Sequence, residues 1–196
     1  MEKFITITSR AVPLQEENVD TDQIIPARFL KATDRSGFGE NLFRDWRYDE
    51  NDRPKSGFIL NNPDYSGSIL ISGKNFGSGS SREHAAWALA DYGFRVVVSS
   101  FFADIFRNNC LNIGVLPVQV SPEFLHKIFT AIEANPESQL EVNLPEQSIT
   151  ILATGESESF DINDYKKANM TNGFDDIDFL LNIKEQISEY AKDTPL

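Results

Sequence analysis

Residues 75–89 read Asn-Phe-Gly-Ser-Gly-Ser-Ser-Arg-Glu-His-Ala-Ala-Trp-Ala-Leu, which gathers glycine, hydroxyl and guanidinium groups just ahead of a strong helix-forming run. The pattern Ser80-Ser81-Arg82-Glu83 fits S-x-x-E, so Ser80 is expected to cap the helix and Glu83 to reach back. The first N–H groups of a helix lack intrahelical partners and carry about half a positive charge between them, and Arg82 adds a full one. Such a place suits an anion, most naturally a carboxylate that a guanidinium can hold with two parallel hydrogen bonds. A Ser80 oxygen that accepts N–H bonds beside Arg82 would have its deprotonated form stabilised and could act as a base. Capping and base chemistry are compatible readings of one side chain. A P-loop would need Gly-Lys-Ser/Thr at its end, and a dinucleotide fingerprint would need glycine where Arg82 stands, so neither ATP nor NAD is indicated.

The flanking sequence supplies a frame for this turn. Ser-Ile-Leu-Ile-Ser at 68–72 and Arg-Val-Val-Val-Ser-Ser at 95–100 read as buried strands, with one helix between them closed by Gly93. Strand, glycine turn, helix and strand make a βαβ unit, whose right-handed crossover makes the two strands parallel. The turn then falls at a strand's carboxyl end, where open α/β sheets bind ligands.

A second informative stretch, 18–30, reads Asn-Val-Asp-Thr-Asp-Gln-Ile-Ile-Pro-Ala-Arg-Phe-Leu. Its alternating oxygens lack the glycine and closing glutamate of a calcium loop. An Asx-type turn and cap leading into a short segment at 27–31 accounts for it equally well as chemistry does. Residues 31–39 hold two glycines and read as a loop, the kind of segment that carries specificity.

Composition sets the outer limits. A chain of 196 residues, 40% apolar and 24% charged, is ordinary for one soluble globular domain. The net charge of −12 argues against a nucleic-acid groove or an anionic membrane surface as partner. Cys110 is the single cysteine, too few for an iron–sulfur cluster, and His84 and His126 are too few for a zinc site, so no metal is expected on this chain. No apolar run reaches membrane-spanning length and no long signal core opens the chain, which points to the cytoplasm.

Elsewhere the sequence predicts a strand at 4–8 continuing to Leu14, a short helix at 101–106, a strand at 115–120, and a helix opened by Ser121 with Pro122 at its first position. Cys110 reads as a small buried group and His126 as a surface or boundary residue. Three short antiparallel strands at 141–144, 148–152 and 159–162 are expected to form a covering β layer. An amphipathic helix over 174–192 is expected to pack through Ile177, Leu180, Leu181, Ile187 and Tyr190.

The octet Gly77-Ser-Gly-Ser-Ser-Arg-Glu-His84 resembles the active-site turn of the swivelling domain of the aconitase superfamily. Over nearly its full length the chain is similar to the small subunits of bacterial 3-isopropylmalate dehydratase, through 18–30, 35–39, 45–47 and the terminal helix. One departure is Ser78, where many members carry cysteine. The resemblance implies an α/β fold, a swivelling β/β/α domain with a central, largely parallel sheet, flanking helices and a covering β layer. It implies one domain over 1–196 with a C-terminal helical extension. It also implies a hydro-lyase of leucine biosynthesis, active only as a complex with a large subunit, isomerising 2-isopropylmalate and 3-isopropylmalate by dehydration and rehydration. A 4Fe–4S cluster is then expected on the large subunit and no cofactor on this chain. Ser80 would be the base, Arg82 the carboxylate clamp, and Gly79, Ser81, Thr21, Asp22 and Arg35 substrate-binding neighbours, with Asp22 orienting Arg82 or a hydroxyl. A small subunit acting on homoaconitate or citraconate, or a non-enzymatic carboxylate-binding module, are the alternatives.

Overall fold

The β-branched runs build a seven-stranded sheet. The computed structural model describes residues 1–31 and 37–193, the last three by their backbone alone. In chain order its strands are β1 (Thr6–Leu14), β2 (Ile69–Ser72), β3 (Val96–Ser99), β4 (Leu116–Gln119), β5 (Gln139–Asn143), β6 (Ser148–Ile151) and β7 (Glu156–Ser159). They lie in the order β4-β3-β2-β1-β5-β6-β7.

β1 belongs to two neighbourhoods in succession. Thr6 to Arg10 pair antiparallel with β5, and Ala11 to Leu14 pair parallel with β2. β2, β3 and β4 continue the parallel half, while β5, β6 and β7 are antiparallel hairpins. Two helices make the parallel crossovers, α3 (Glu83–Tyr92) between β2 and β3 and α4 (Asp104–Ile113) between β3 and β4. Every residue of β2 and β3 is buried, as a sheet covered on both faces requires.

Alternation along each strand feeds two cores. Ile69, Ile71, Val96 and Val98 point to one side, where α5 (Pro122–Ala134) lays down Phe124, Leu125, Ile128 and Ile132. Leu140, Val142, Ile149 and Ile151 of β5 and β6 enter that same core. The antiparallel strands thus cover this side as the curled continuation of the main sheet, edge to edge with β1. Leu70 and Val97 point to the other side, against Ala85, Ala86, Ala88 and Leu89 of α3 and Phe106 and Cys110 of α4. The alanines let α3 lie close to the sheet. α1 (Thr21–Ile24) and α2 (Arg44–Arg47) close this second core near the strands' carboxyl ends with Ile24, Ile25, Leu42 and Phe43.

Three local expectations shift. The helix expected at 101–106 begins at Asp104 and runs through Asn108 and Asn109 to a Gly114 cap at φ +89°. Burial of Phe106, Cys110 and Leu111 on one face outweighs the poor helix propensity of the two asparagines. The last strand lies at 156–159, three residues earlier than expected, because β7 pairs in register with β6 across the Gly155 turn. The terminal helix is broken in two: α6 (Asp164–Asn172) is followed by α7 (Asp176–Asn182) and α8 (Lys184–Asp193). The stripe expected to pack, Ile177, Leu180, Leu181, Ile187 and Tyr190, is exposed, since the core beneath α6 is already closed by Met170 and Phe4.

Candidate active site

Beyond Ser72 the backbone leaves β2 and is held from both sides. On one side Gly77 N–H donates to Val19 O at 2.8 Å, Thr21 N–H to Ser78 O at 2.9 Å, and Asn18 N–H to Lys74 O at 2.8 Å. Asn18 and Asn75, both at positive φ, join their side chains at 2.9 Å. On the other side Phe76 N–H donates to Phe101 O at 3.1 Å. The segments 18–22 and 75–82 therefore lie side by side at the carboxyl edge of the sheet.

Two glycines make the turn possible. At Gly77, φ +79°, an added Cβ would stand 2.1 Å from the Phe106 ring, so both conformation and space exclude a side chain. At Gly79, φ +92°, the nearest atoms are the Asp20 Cβ and Thr21 Oγ1 at 3.5 Å, and conformation alone demands glycine.

The expected Ser80 cap is not formed. Arg82 is the N-cap, at φ −95° and ψ 111°, and the helix starts at Glu83 without a side-chain cap. The cause lies in tertiary bonds: Thr21 Oγ1 donates to Ser80 O at 3.1 Å, and Arg82 N–H closes a tight three-residue turn onto the same oxygen at 2.8 Å. The helix cannot begin until that turn is complete. Ser80 and Ser81 consequently stand exposed, and the Ser80 hydroxyl has no hydrogen-bond partner among the described residues. Among the described residues no N–H donates to that oxygen as expected, and Arg82 and the amino end of α3 supply positive charge at the turn.

Arg82 pairs through Nη1 with Asp22 Oδ1; its side chain is 20% exposed and that of Asp22 53%. Asp22 sits in the first turn of α1, which Asp20 caps through Gln23 N–H at 2.8 Å with Gln23 Oε1 returning the bond. The Asx cap expected from sequence is thus present, but on this earlier helix. Thr21 is almost fully buried, so it supports the turn from behind. Ser80, Ser81, Gly79, Arg82, Asp22 and Thr21 are brought together; Arg35 lies outside the described residues.

Two supports escaped the sequence reading. Phe38, His84 and Trp87 form a ring cluster, with His84 4.5 Å from Trp87 and 5.5 Å from Phe38, centroid to centroid. Gly39 N–H donates to Asp91 Oδ2 at 2.8 Å, and a Cβ on Gly39 would lie 2.6 Å from the Tyr92 backbone nitrogen. The chain from Phe38 onward is thereby pinned along α3. Behind it, Arg47 is a buried cation: its guanidinium donates to Gly39 O at 3.3 Å, Leu42 O at 3.2 Å and Asn61 Oδ1 at 3.4 Å, and lies over the Tyr92 ring at 4.9 Å. In the sequence this region is marked by the aromatic-rich run Leu-Phe-Arg-Asp-Trp-Arg-Tyr at 42–48.

Cys110 is completely buried and burial pushes its thiol well above the ordinary range, so it is a packing group. His126 is exposed on α5, at the wall of a cavity of about 520 Å³ that also includes Lys74 and Phe129; Ser80 and Arg82 are not part of that wall. Among the described residues no group of three or more His, Cys, Asp or Glu could hold a metal ion. The turn thus presents the exposed hydroxyls of Ser80 and Ser81 beside the partly covered Arg82–Asp22 pair.

Residues 1–123 match the family described as Aconitase C-terminal domain, and residues 126–164 match LeuD_N. A relative from Cytophaga hutchinsonii, named 3-isopropylmalate dehydratase small subunit, is 64% identical over 98% of this chain and 96% of its own. One of the same name from Christiangramia forsetii is 63% identical, over 98% and 94%. The crystal structure of 3-isopropylmalate dehydratase from Methanocaldococcus jannaschii superposes with a TM-score of 0.68 at 24% identity, over 95% of this chain and 99% of that one, a likeness of fold. Turn and sheet are accordingly those of the aconitase superfamily's C-terminal domain. The chain belongs to the family of 3-isopropylmalate dehydratase small subunits, which are hydro-lyase subunits.

Proposed function

We propose that the chain is the small subunit of an enzyme that interconverts 2-isopropylmalate and 3-isopropylmalate in leucine biosynthesis, its half-site completed by a large subunit. The observation that carries this reading is the exposed Ser80-Ser81 turn beside the Arg82–Asp22 pair, in a chain aligned over 98% of its length with a small subunit of that name. Ser80, as the alkoxide, accepts the carbon-bound proton; the electron pair of that bond becomes the carbon–carbon double bond as the neighbouring hydroxyl departs as hydroxide, which a proton from solvent converts to water. In rehydration a water adds its oxygen at the other carbon and gives one proton back to solvent, while Ser80 returns its proton to the carbon that first bore the hydroxyl. Positive potential from Arg82 and the amino end of α3 favours the alkoxide. Arg82 holds a substrate carboxylate by its planar fork while Asp22 fixes the fork's plane. Ser81 and the turn's amides hold the substrate against Ser80.

The donor set of this chain does not fit an iron–sulfur cluster: its one cysteine is sealed in the core. A 4Fe–4S cluster therefore belongs, in this reading, to the large subunit, where it would supply Lewis acidity toward the departing hydroxyl. The test is reconstitution. The purified chain, alone and mixed with a cluster-loaded large subunit, is assayed with 2-isopropylmalate, homoaconitate and citraconate in competition. Turnover should arise only in the mixture and favour 2-isopropylmalate. Preference for another substrate would reassign specificity, and a chain that binds carboxylates but never pairs would be a binding module.

A further inference from the structure

The C-terminal helices carry an apolar face that no described residue covers. α7 is tied down by its first turn: Lys166 Nζ lies 3.0 Å from Asp176 Oδ1, Tyr165 OH donates to the same oxygen at 2.8 Å, and Phe179 stands edge-on to Tyr165 at 4.6 Å. Facing elsewhere, Ile177, Leu180 and Leu181 are 68%, 53% and 64% exposed, and Ile187 and Tyr190 carry the exposure into α8. Spacings of three and four residues align them within each helix. Single exposed apolar residues are ordinary on a soluble protein, whereas a contiguous run marks an interaction site. The described charges on these two helices are acidic on balance, Asp175, Asp176, Asp178, Glu185 and Glu189 against Lys184.

We propose that this face docks an apolar groove with a basic rim on a different polypeptide, the large subunit of the proposed function, on which this inference rests. Charge selects that occupant. A second copy would set one acidic rim against another on chains that each carry −12, and like charges across an interface are repulsive. Position defines what the contact does. α4 runs from the carboxyl edge of the sheet to the amino edge, where Gly114 turns into β4. The α6–α7 region packs at that far end, through Lys166 Nζ on Asn112 Oδ1 at 2.8 Å and the Met1 ammonium on Gly173 O at 2.9 Å. The Ser80 turn lies at the opposite edge. The helix pair is a tether away from the chemistry, holding the subunits together without shaping the site.

The test titrates the full-length chain and an Ile177→Asp/Leu181→Asp variant against cluster-loaded large subunit, reading binding and turnover. Both residues are more than half exposed, so the melting temperature should not change. The variant should need about tenfold or more chain for half-saturation yet reach the same kcat, and added salt should weaken wild-type binding. Superimposable titrations for variant and wild type would overturn the tether while leaving the enzyme reading intact. So would unchanged affinity with a lowered kcat, or a wild-type dimer that the variant converts to monomer. A wild-type chain that neither binds nor activates the large subunit would defeat both readings.

Discussion

In the proposed reaction Ser80 and Arg82 have different tasks, and their environments differ. The Ser80 hydroxyl is exposed and unengaged among the described residues, whereas Arg82 is mostly covered and paired with Asp22. Replacing Ser80 with alanine removes no hydrogen bond among the described residues. The Ser80→Ala variant should therefore melt like wild type and bind the large subunit normally, while kcat falls about 10²- to 10⁴-fold, the usual share of a general base. Steady-state kinetics on the reconstituted pair check this, and near-normal turnover would remove Ser80 from the proton transfer. Arg82→Lys keeps the charge but loses the planar fork that can serve Asp22 and a substrate carboxylate together. Its kcat/KM should fall by about 10- to 100-fold, the worth of a charge-assisted hydrogen bond, and an unchanged value would show that charge alone suffices.

The element that steadies this edge is the segment 37–48. Arg47, buried at the end of α2, gathers carbonyl oxygens of Gly39 and Leu42 and so ties down the chain that Phe38 and Gly39 dock on α3. With no carboxylate partner in that set, its value is in satisfying backbone acceptors. Arg47→Leu would leave Leu42 O buried without a partner and Gly39 O with the Leu42 N–H alone, costing about 2–3 kcal/mol. For a chain of this size that is roughly a 5–10 °C fall in Tm, read by thermal denaturation. A smaller fall than that of an exposed control such as Arg28→Leu would show the cation to be dispensable. Arg28 also pairs with a carboxylate, Asp45, whose acid is held below its ordinary range by that bond, but both are largely exposed and such pairs are worth little.

Across the whole molecule the two halves of the sheet cannot be separated without cutting β1. Its first five residues serve β5 and its last four serve β2, and the core under α5 draws on both halves. We therefore expect one domain, and a single calorimetric transition whose van't Hoff and calorimetric enthalpies agree. Two resolved transitions would instead make the antiparallel half a domain of its own. The same continuity suits a body that moves as a unit against a partner, with the Ser80 turn at one edge and the exposed α7–α8 face near the other.

The sequence by itself determined the βαβ frame and the place of its glycine turn. Gly77, Gly79, Ser80, Arg82 and the β-branched runs at 69–71 and 96–98 are legible because periodicity and turn residues act over a few positions. It also determined the Gly93 stop and the Ser121–Pro122 start, which need nothing distant. Only the tertiary structure decided where α3 begins, since Thr21 and Ser80, 59 positions apart, set that by a single hydrogen bond. Only it decided that β5, β6 and β7 prolong the main sheet, that Asp22 pairs with Arg82 rather than with a hydroxyl, and that Arg47 is buried. Likewise the stripe along α7 and α8 has the spacing of a packed helix, and spacing specifies a face without specifying what lies opposite. Those outcomes depend on which surfaces meet, a property of the assembled chain that no short window of residues contains.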